Sequence, residues 1–263
     1  MKNRKKQKFN ALFLVTLGVL VIAVIVIALF NMPKKQAPVQ SGEAYVEAYN
    51  KTNALKQYEI QTSMIISVDD GEGVKQTAID QTIKADNRNT GLIYRVESVA
   101  TTTDVTSGKV NSEESSYTYY DKKYYYNLPG VSYTSDVTED RAKQNLSNFI
   151  NMISFPYDKM QVFEKEETDG MTVYHYTVSY DDVSDYVKAV CESGVNIIGE
   201  GNFKRTAEAS ATVKDGYVTQ RTMYIECVNE NGNTVVIEFV TELCDTKAEI
   251  AVPDASKYAN ITE

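Results

Sequence analysis

The twenty residues ALFLVTLGVLVIAVIVIALF, 11–30, carry no charge, and only Thr16 and Gly18 depart from strong apolarity. As a helix with about 1.5 Å rise per residue, such a run spans roughly 30 Å, the thickness of a bilayer core. A helix is also the form that satisfies every backbone polar group within itself in lipid. A cleaved secretory signal has a shorter apolar region, about 7–15 residues, ending in small residues. Here the run ends at Phe30-Asn31-Met32-Pro33. The sequence therefore predicts one transmembrane anchor over residues 11–32. Lys2, Arg4, Lys5, Lys6 and Lys8 precede the apolar run, and only Lys34 and Lys35 follow it. The larger basic cluster places residues 1–10 in the cytoplasm. The expected localisation is the cell membrane, single-pass, with the C-terminal domain extracellular.

Charge then separates the two parts of the chain. Seven of the 27 Lys and Arg lie in residues 1–35, and all 36 Asp and Glu lie beyond residue 42. The exterior part keeps 20 cations against 36 anions, a net charge of −16. Nucleic acid is excluded as a partner, because phosphate backbones need basic patches. Residues 33–42, with two prolines, read as a linker. Residues 43–250 are expected to form one extracytoplasmic β-rich domain, with a C-terminal tail over 251–263.

Motifs for chemistry are sparse. The three cysteines, Cys191, Cys227 and Cys244, show no C-x-x-C spacing, and His175 is the single histidine. No multi-histidine metal site can be built from it. Acidic runs such as Asp69-Asp70 and Asp181-Asp182 lack calcium-loop spacing and read as turns and helix caps. No phosphate-binding or nucleophile-elbow motif occurs. The expectation is a protein that is not an enzyme, with no catalytic residue, no metal site and no cofactor.

Periodicity predicts an α+β fold. Helical spacing runs over 43–57, 137–154 and 181–193, the second with an apolar stripe of Leu146, Phe149, Ile150 and Ile153. Between them lie alternating, β-branched segments separated by Gly, Asp and Asn. In YEIQTSMIISV, 58–68, Ile60, Thr62, Met64, Ile66 and Val68 fall on one face.

Seven of the nineteen tyrosines fall in YTYYDKKYYYNLPGVSY, 117–133. A two-residue turn at Asp121-Lys122 sets Tyr119 opposite Tyr124 and Tyr117 opposite Tyr126, so these four share one face, with Tyr120 and Tyr125 on the other. Tyrosine combines an apolar body with a polar tip and suits a half-buried strand or a recognition surface. Tyr117, Tyr119, Tyr124 and Tyr126 are thus the candidate ligand-binding residues. In the last hairpin, a two-residue turn at Asn231-Gly232 puts Met223, Ile225, Cys227, Val236 and Val240 on one face. Tyr224, Val228, Val235, Ile237 and Phe239 fall on the other. Both faces are then apolar, which predicts a sheet covered on both sides, and Cys227 and Cys244 are not cross-strand partners.

With its tethered outer domain, the opening helix EAYVEAYNKTNALKQY, the long strands and the YYY…PGVSY segment, the chain resembles the LolA-like half-barrel proteins over roughly residues 41–250. These include LppX-type lipoproteins and related surface proteins of Gram-positive bacteria. The resemblance implies a curved antiparallel sheet, a half-barrel, with helices packed in or across its concave face. It further implies an apolar cavity for a lipid, lipopeptide or other amphipathic ligand. The chain departs from the lipoprotein members in having no lipidated cysteine after its apolar run. The function expected is a membrane-anchored binding protein. The alternative is a cell-surface interaction or sensor module that engages a membrane or envelope protein and holds no small molecule.

Overall fold

The computed structural model describes residues 43–88, 91–150, 161–198 and 202–260. The expected anchor over 11–32 and its flanks lie outside the described residues. Among the described residues, no helix is long and apolar enough to cross a membrane.

The fold is α+β. Helix α1 (Glu43–Asn53) leads into β1 (Gln57–Asp69), β2 (Val74–Asp86), β3 (Ile93–Asp104), β4 (Lys109–Tyr120), β5 (Lys123–Leu128) and β6 (Val131–Asp136). Helix α2 (Glu139–Ile150) follows, then β7 (Gln161–Thr168), β8 (Met171–Val178), a 3-10 turn (Tyr180–Asp182) and α3 (Asp185–Ile198). The chain closes with β9 (Lys204–Lys214), β10 (Tyr217–Val228), β11 (Thr234–Asp245) and the two-residue β12 (Ala259–Asn260). All twelve strands form one open sheet in the order β12-β6-β5-β4-β3-β2-β1-β11-β10-β9-β8-β7. Every pairing is antiparallel except β12 on β6.

Turn chemistry accounts for the hairpins. Asp121-Lys122, Asp169-Gly170 and Asp215-Gly216 all have positive φ, between 48° and 75°. Two consecutive left-handed residues make the tight turn whose twist matches that of the flanking strands. The tyrosine hairpin therefore has the expected register, with Tyr119 opposite Tyr124 and Tyr117 opposite Tyr126. The last hairpin does not. The buried Asn229 side chain accepts hydrogen bonds from the backbone N–H of Asn231 (3.0 Å) and Asn233 (2.9 Å), and Gly232 takes φ 84°. This shapes a three-residue loop where the sequence suggested a two-residue turn. Pairing shifts by one, so Ile225 opposes Ile237 and Cys227 opposes Val235. A one-residue slip exchanges the faces of a strand. Met223, Ile225, Cys227, Val235, Ile237 and Phe239 now share one buried face. Tyr224, Glu226, Val236, Glu238 and Val240 lie half-buried on the other. The expected sheet with two apolar faces is thus corrected to an alternating one with a single core face.

That face continues across the sheet. Ile60 pairs with Leu243 and with Ile83, Ile83 with Val96, and Val96 with Tyr117. It bears two apolar clusters. One joins α1 and α3 to β1, β8, β9, β10 and β11. The other joins α2 to β1–β5. The three α-helices among the described residues thus cover the same face. The opposite face is crossed by residues 246–258. The Gln57 amide donates to the Ala248 carbonyl, and the Tyr258 ring packs edge-on against Tyr125, centroids 5.2 Å apart. Thr138 caps helix α2, its hydroxyl accepting from the N–H of Arg141 at 3.3 Å. Of its predicted apolar stripe, Leu146 is buried, and the side chains of Phe149, Ile150 and Ile153 lie outside the described residues.

Candidate functional site

The two clusters do not merge completely. Between them, on the core face, lies a cavity of about 310 Å³. Its floor comes from four adjacent strands: Ala85 of β2, Tyr58 and Ile60 of β1, Thr241 and Leu243 of β11, and Val218 and Arg221 of β10. Register requires this, because Tyr58 opposes Ala85, Ile60 opposes Leu243 and Thr241 opposes Arg221. One wall is the end of α1 and its exit, Thr52, Asn53, Leu55 and Lys56. The other is α2 with the β2–β3 turn: Lys143, Leu146, Ser147, Asn87 and Leu92.

Both walls are held by specific contacts. On α1, the Thr52 hydroxyl donates to the Ala48 carbonyl and accepts from the N–H of Val218, each at 2.8 Å. Lys51 donates to the Asp215 carbonyl at 3.2 Å and sits 4.0 Å over the Tyr217 ring. Tyr45 packs on Tyr174 and Tyr176. On α2, the tie is the tyrosine face. Tyr94 donates to the Ala142 carbonyl at 3.2 Å, the Tyr94 and Tyr124 hydroxyls are 2.7 Å apart, and the Asn145 amide donates to the Tyr124 hydroxyl at 2.8 Å. A phenol has one proton. With Tyr94 donating to the carbonyl, Tyr124 donates to Tyr94. The bonds form one directed chain that starts at Asn145 and ends at Ala142, both on α2. Burial and the bond to Tyr124 push the Tyr94 phenol far above its ordinary value.

The four tyrosines singled out in the sequence share this face. Tyr119 and Tyr124 are buried, while Tyr117 and Tyr126 are half-buried. Their rings meet edge-on or tilted, with centroids 5.3–5.7 Å apart. None is among the residues that line the cavity, whereas Leu92 and Leu146 of the same cluster are. Sequence reasoning missed Lys56, Lys143 and Arg221, which are far apart in the chain; the β1–β11 pairing brings Lys56 and Arg221 to one cavity, and the packing of α2 adds Lys143 to its wall.

The lining contains those three cations and no carboxylate. Arg221 is buried and lies 5.8 Å from the Tyr49 ring centroid. Lys143 pairs with Glu139 at 2.6 Å on the exposed side of α2. A second, larger hollow of about 640 Å³ opens at the Tyr180 turn, with Glu192, Arg205 and Glu208 in its wall. Its mixed charges and shallow apolar lining suit it less to an apolar chain. His175 faces the other side of the sheet, opposite Glu164 and Ser210. Among the described residues, no group of three or more His, Cys, Asp or Glu is placed to hold a metal ion.

The described domain is a large open antiparallel sheet with helices on one face. No protein-family model matches the chain, and no curated protein matches it. Among solved structures, it is similar to LprF from Mycobacterium bovis at 12% identity and a TM-score of 0.34, covering 82% of this chain and 99% of that one. A DUF1329 family protein from Desulfovibrio piger is similar at 9% identity and a TM-score of 0.23, over 81% of this chain and 95% of that one. These are likenesses of general pattern.

Proposed function

We propose that the chain is a membrane-anchored, extracytoplasmic binding protein that holds an amphipathic molecule in the cavity between its two cores. The observation that carries this reading is the composition of that cavity. Its floor and walls are apolar at Leu55, Tyr58, Ile60, Leu92, Leu146, Val218 and Leu243, while Lys56 and the buried Arg221 supply positive charge with no carboxylate in the lining; the Lys143 ammonium is paired with Glu139 on the outer side of α2. In an exterior part with a net charge of −16, such a cluster favours a ligand with an anionic head. A lipid or lipopeptide has this polarity. The volume of about 310 Å³ is at the lower end of the usual range of about 300–1,000 Å³ for ligand pockets. It favours one apolar chain over several. Open sheets beyond about ten strands tend to curl, which supports the half-barrel form with the helices in its hollow.

The tyrosine face enters this reading through α2. Tyr117, Tyr119, Tyr124 and Tyr126 pack the floor on which α2 rests, and the helix presents Leu146 to the ligand. Anchoring by residues 11–30 keeps the domain at the membrane surface, beside a source of acyl chains.

The test is a titration of full-length protein in non-ionic detergent with a fluorescent fatty acid and with its uncharged alcohol analogue. The acid should bind at least tenfold more tightly than the alcohol, and Leu243→Trp, which fills the cavity floor, should abolish binding. Equal affinity for both probes, unchanged in Leu243→Trp, would overturn the reading.

A further inference from the structure

Cys191 and Cys227 come from different elements. Cys191 lies on the buried stripe of α3 with Val187 and Val195. Cys227 lies on the core face of β10, directly opposite Val235 of β11. Helix α3 approaches the sheet closely at this point. A Cβ placed on Gly194 would stand 2.7 Å from Val235 Cγ1, nearer than any side chain tolerates. Gly194 is three residues after Cys191, hence on the same helix face. The glycine lets the helix settle onto β11, and the settling brings Cys191 to the thiol of Cys227 on the neighbouring strand β10. They hydrogen-bond each other, and neither is exposed to solvent. Cys244, by contrast, is exposed near the end of β11.

We propose that Cys191 and Cys227 are a disulfide site that staples α3 to β10. The surroundings suit the chemistry. The hydrogen bond from Cys191 holds the Cys227 thiol below its ordinary pKa, and the nearby Arg205 cation adds to this. The bond to Cys227 and burial push Cys191 up, against a smaller lowering by the Tyr180 hydroxyl. Tyr180 and Arg205 also form the wall of the 640 Å³ hollow, so the pair sits behind an opening in the surface. Oxidation is a thiol–disulfide exchange with a disulfide oxidant. The Cys227 thiolate attacks one sulfur of that disulfide and expels a thiolate. Cys191, losing its proton, then attacks the mixed disulfide at Cys227 and releases the second thiolate. Two electrons pass to the oxidant, and the two protons end on its thiols. The staple closes a long loop, which constrains the unfolded chain and raises the melting temperature by roughly 10 °C.

The experiment uses the full chain carrying Cys244→Ser in detergent, with oxidised glutathione as the probe. One arm oxidises the folded protein, and a second refolds it from denaturant in the same oxidant. Thiol counting, peptide mapping and thermal melting read both arms. Loss of both thiols in either arm, a peptide joining residues 191 and 227, and a melt about 10 °C higher than after reduction would support the site. Cys191→Ser and Cys227→Ser should each remove the joined peptide. Free thiols in both arms, a persistent glutathione adduct, or links only between molecules would overturn it.

Discussion

Removing single hydroxyls from the Asn145–Tyr124–Tyr94–Ala142 chain tests whether the tyrosine face holds α2. Tyr94→Phe breaks two links at once: the acceptor for Tyr124, at 2.7 Å, and the donor to the Ala142 carbonyl, at 3.2 Å. It also leaves the Tyr124 proton without its acceptor in a buried site. A net contribution of about 1 kcal/mol per bond, plus the desolvation penalty of a stranded group, gives a loss of about 2–3 kcal/mol. Tyr124→Phe breaks the bond to Tyr94 and frees the half-buried Asn145 amide, which can turn to water. Its loss should be smaller, about 1–2 kcal/mol. Because the bonds form a chain, the double variant should cost less than the sum of the singles, with a coupling of about 1 kcal/mol. Urea unfolding of the wild type, both single variants and the double variant measures all four corners. Losses below about 0.5 kcal/mol, or strict additivity, would refute the directed chain.

Two further outcomes follow from the packing. Gly194→Ala should destabilise the protein even though alanine favours helix by about 1 kcal/mol, because its Cβ would stand 2.7 and 3.1 Å from the two methyls of the buried Val235; overpacking of this kind costs about 1–3 kcal/mol. Adding Val235→Ala should relieve part of that strain in a denaturation series, and a Gly194→Ala protein more stable than wild type would contradict the close approach. In alkali, Tyr94 and Tyr176 should resist ionisation, since burial raises both phenols well above their ordinary 10.0. Stability from a raised pKa is intact below the unfolded value and is lost as pH rises toward the folded one, so the two together should lose about 3 kcal/mol per pH unit above 10. The last part of the phenolate absorbance, that of the buried rings, should therefore appear in the same cooperative step in which circular dichroism is lost. Ionisation of all nineteen tyrosines with the fold intact would contradict the burial.

The parts of the fold that were legible in the sequence rest on local chemistry. The alternation in β1 set Ile60, Met64 and Val68 on one face, where the core lies. The Asp121-Lys122 turn set the tyrosine register because a tight two-residue turn leaves no freedom for slippage. At Asn231-Gly232 the same reasoning failed. The residue that decided the loop was Asn229, whose side chain folds back on Asn231 and Asn233. The resulting shift of one residue moved Val235, Ile237 and Phe239 to the face shared with Met223 and Ile225. The cavity was illegible for a different reason. It needs β1 beside β11, a pairing of distant segments that turn signals do not encode. Only that pairing brings Lys56 and Arg221 to one cavity, with Lys143 supplied by a helix. Cys191 and Cys227 likewise read as separate buried residues, and their meeting depends on the glycine one turn along α3.

Full-length protein purified from the membrane of its own cells should be extracted with organic solvent and the extract weighed by mass spectrometry, beside the Leu243→Trp variant prepared in the same way. The expected result is an anionic molecule with an apolar chain, close to one per protein, and its loss from the variant. An extract with no such molecule, or the same molecule in equal amount from both proteins, would contradict it.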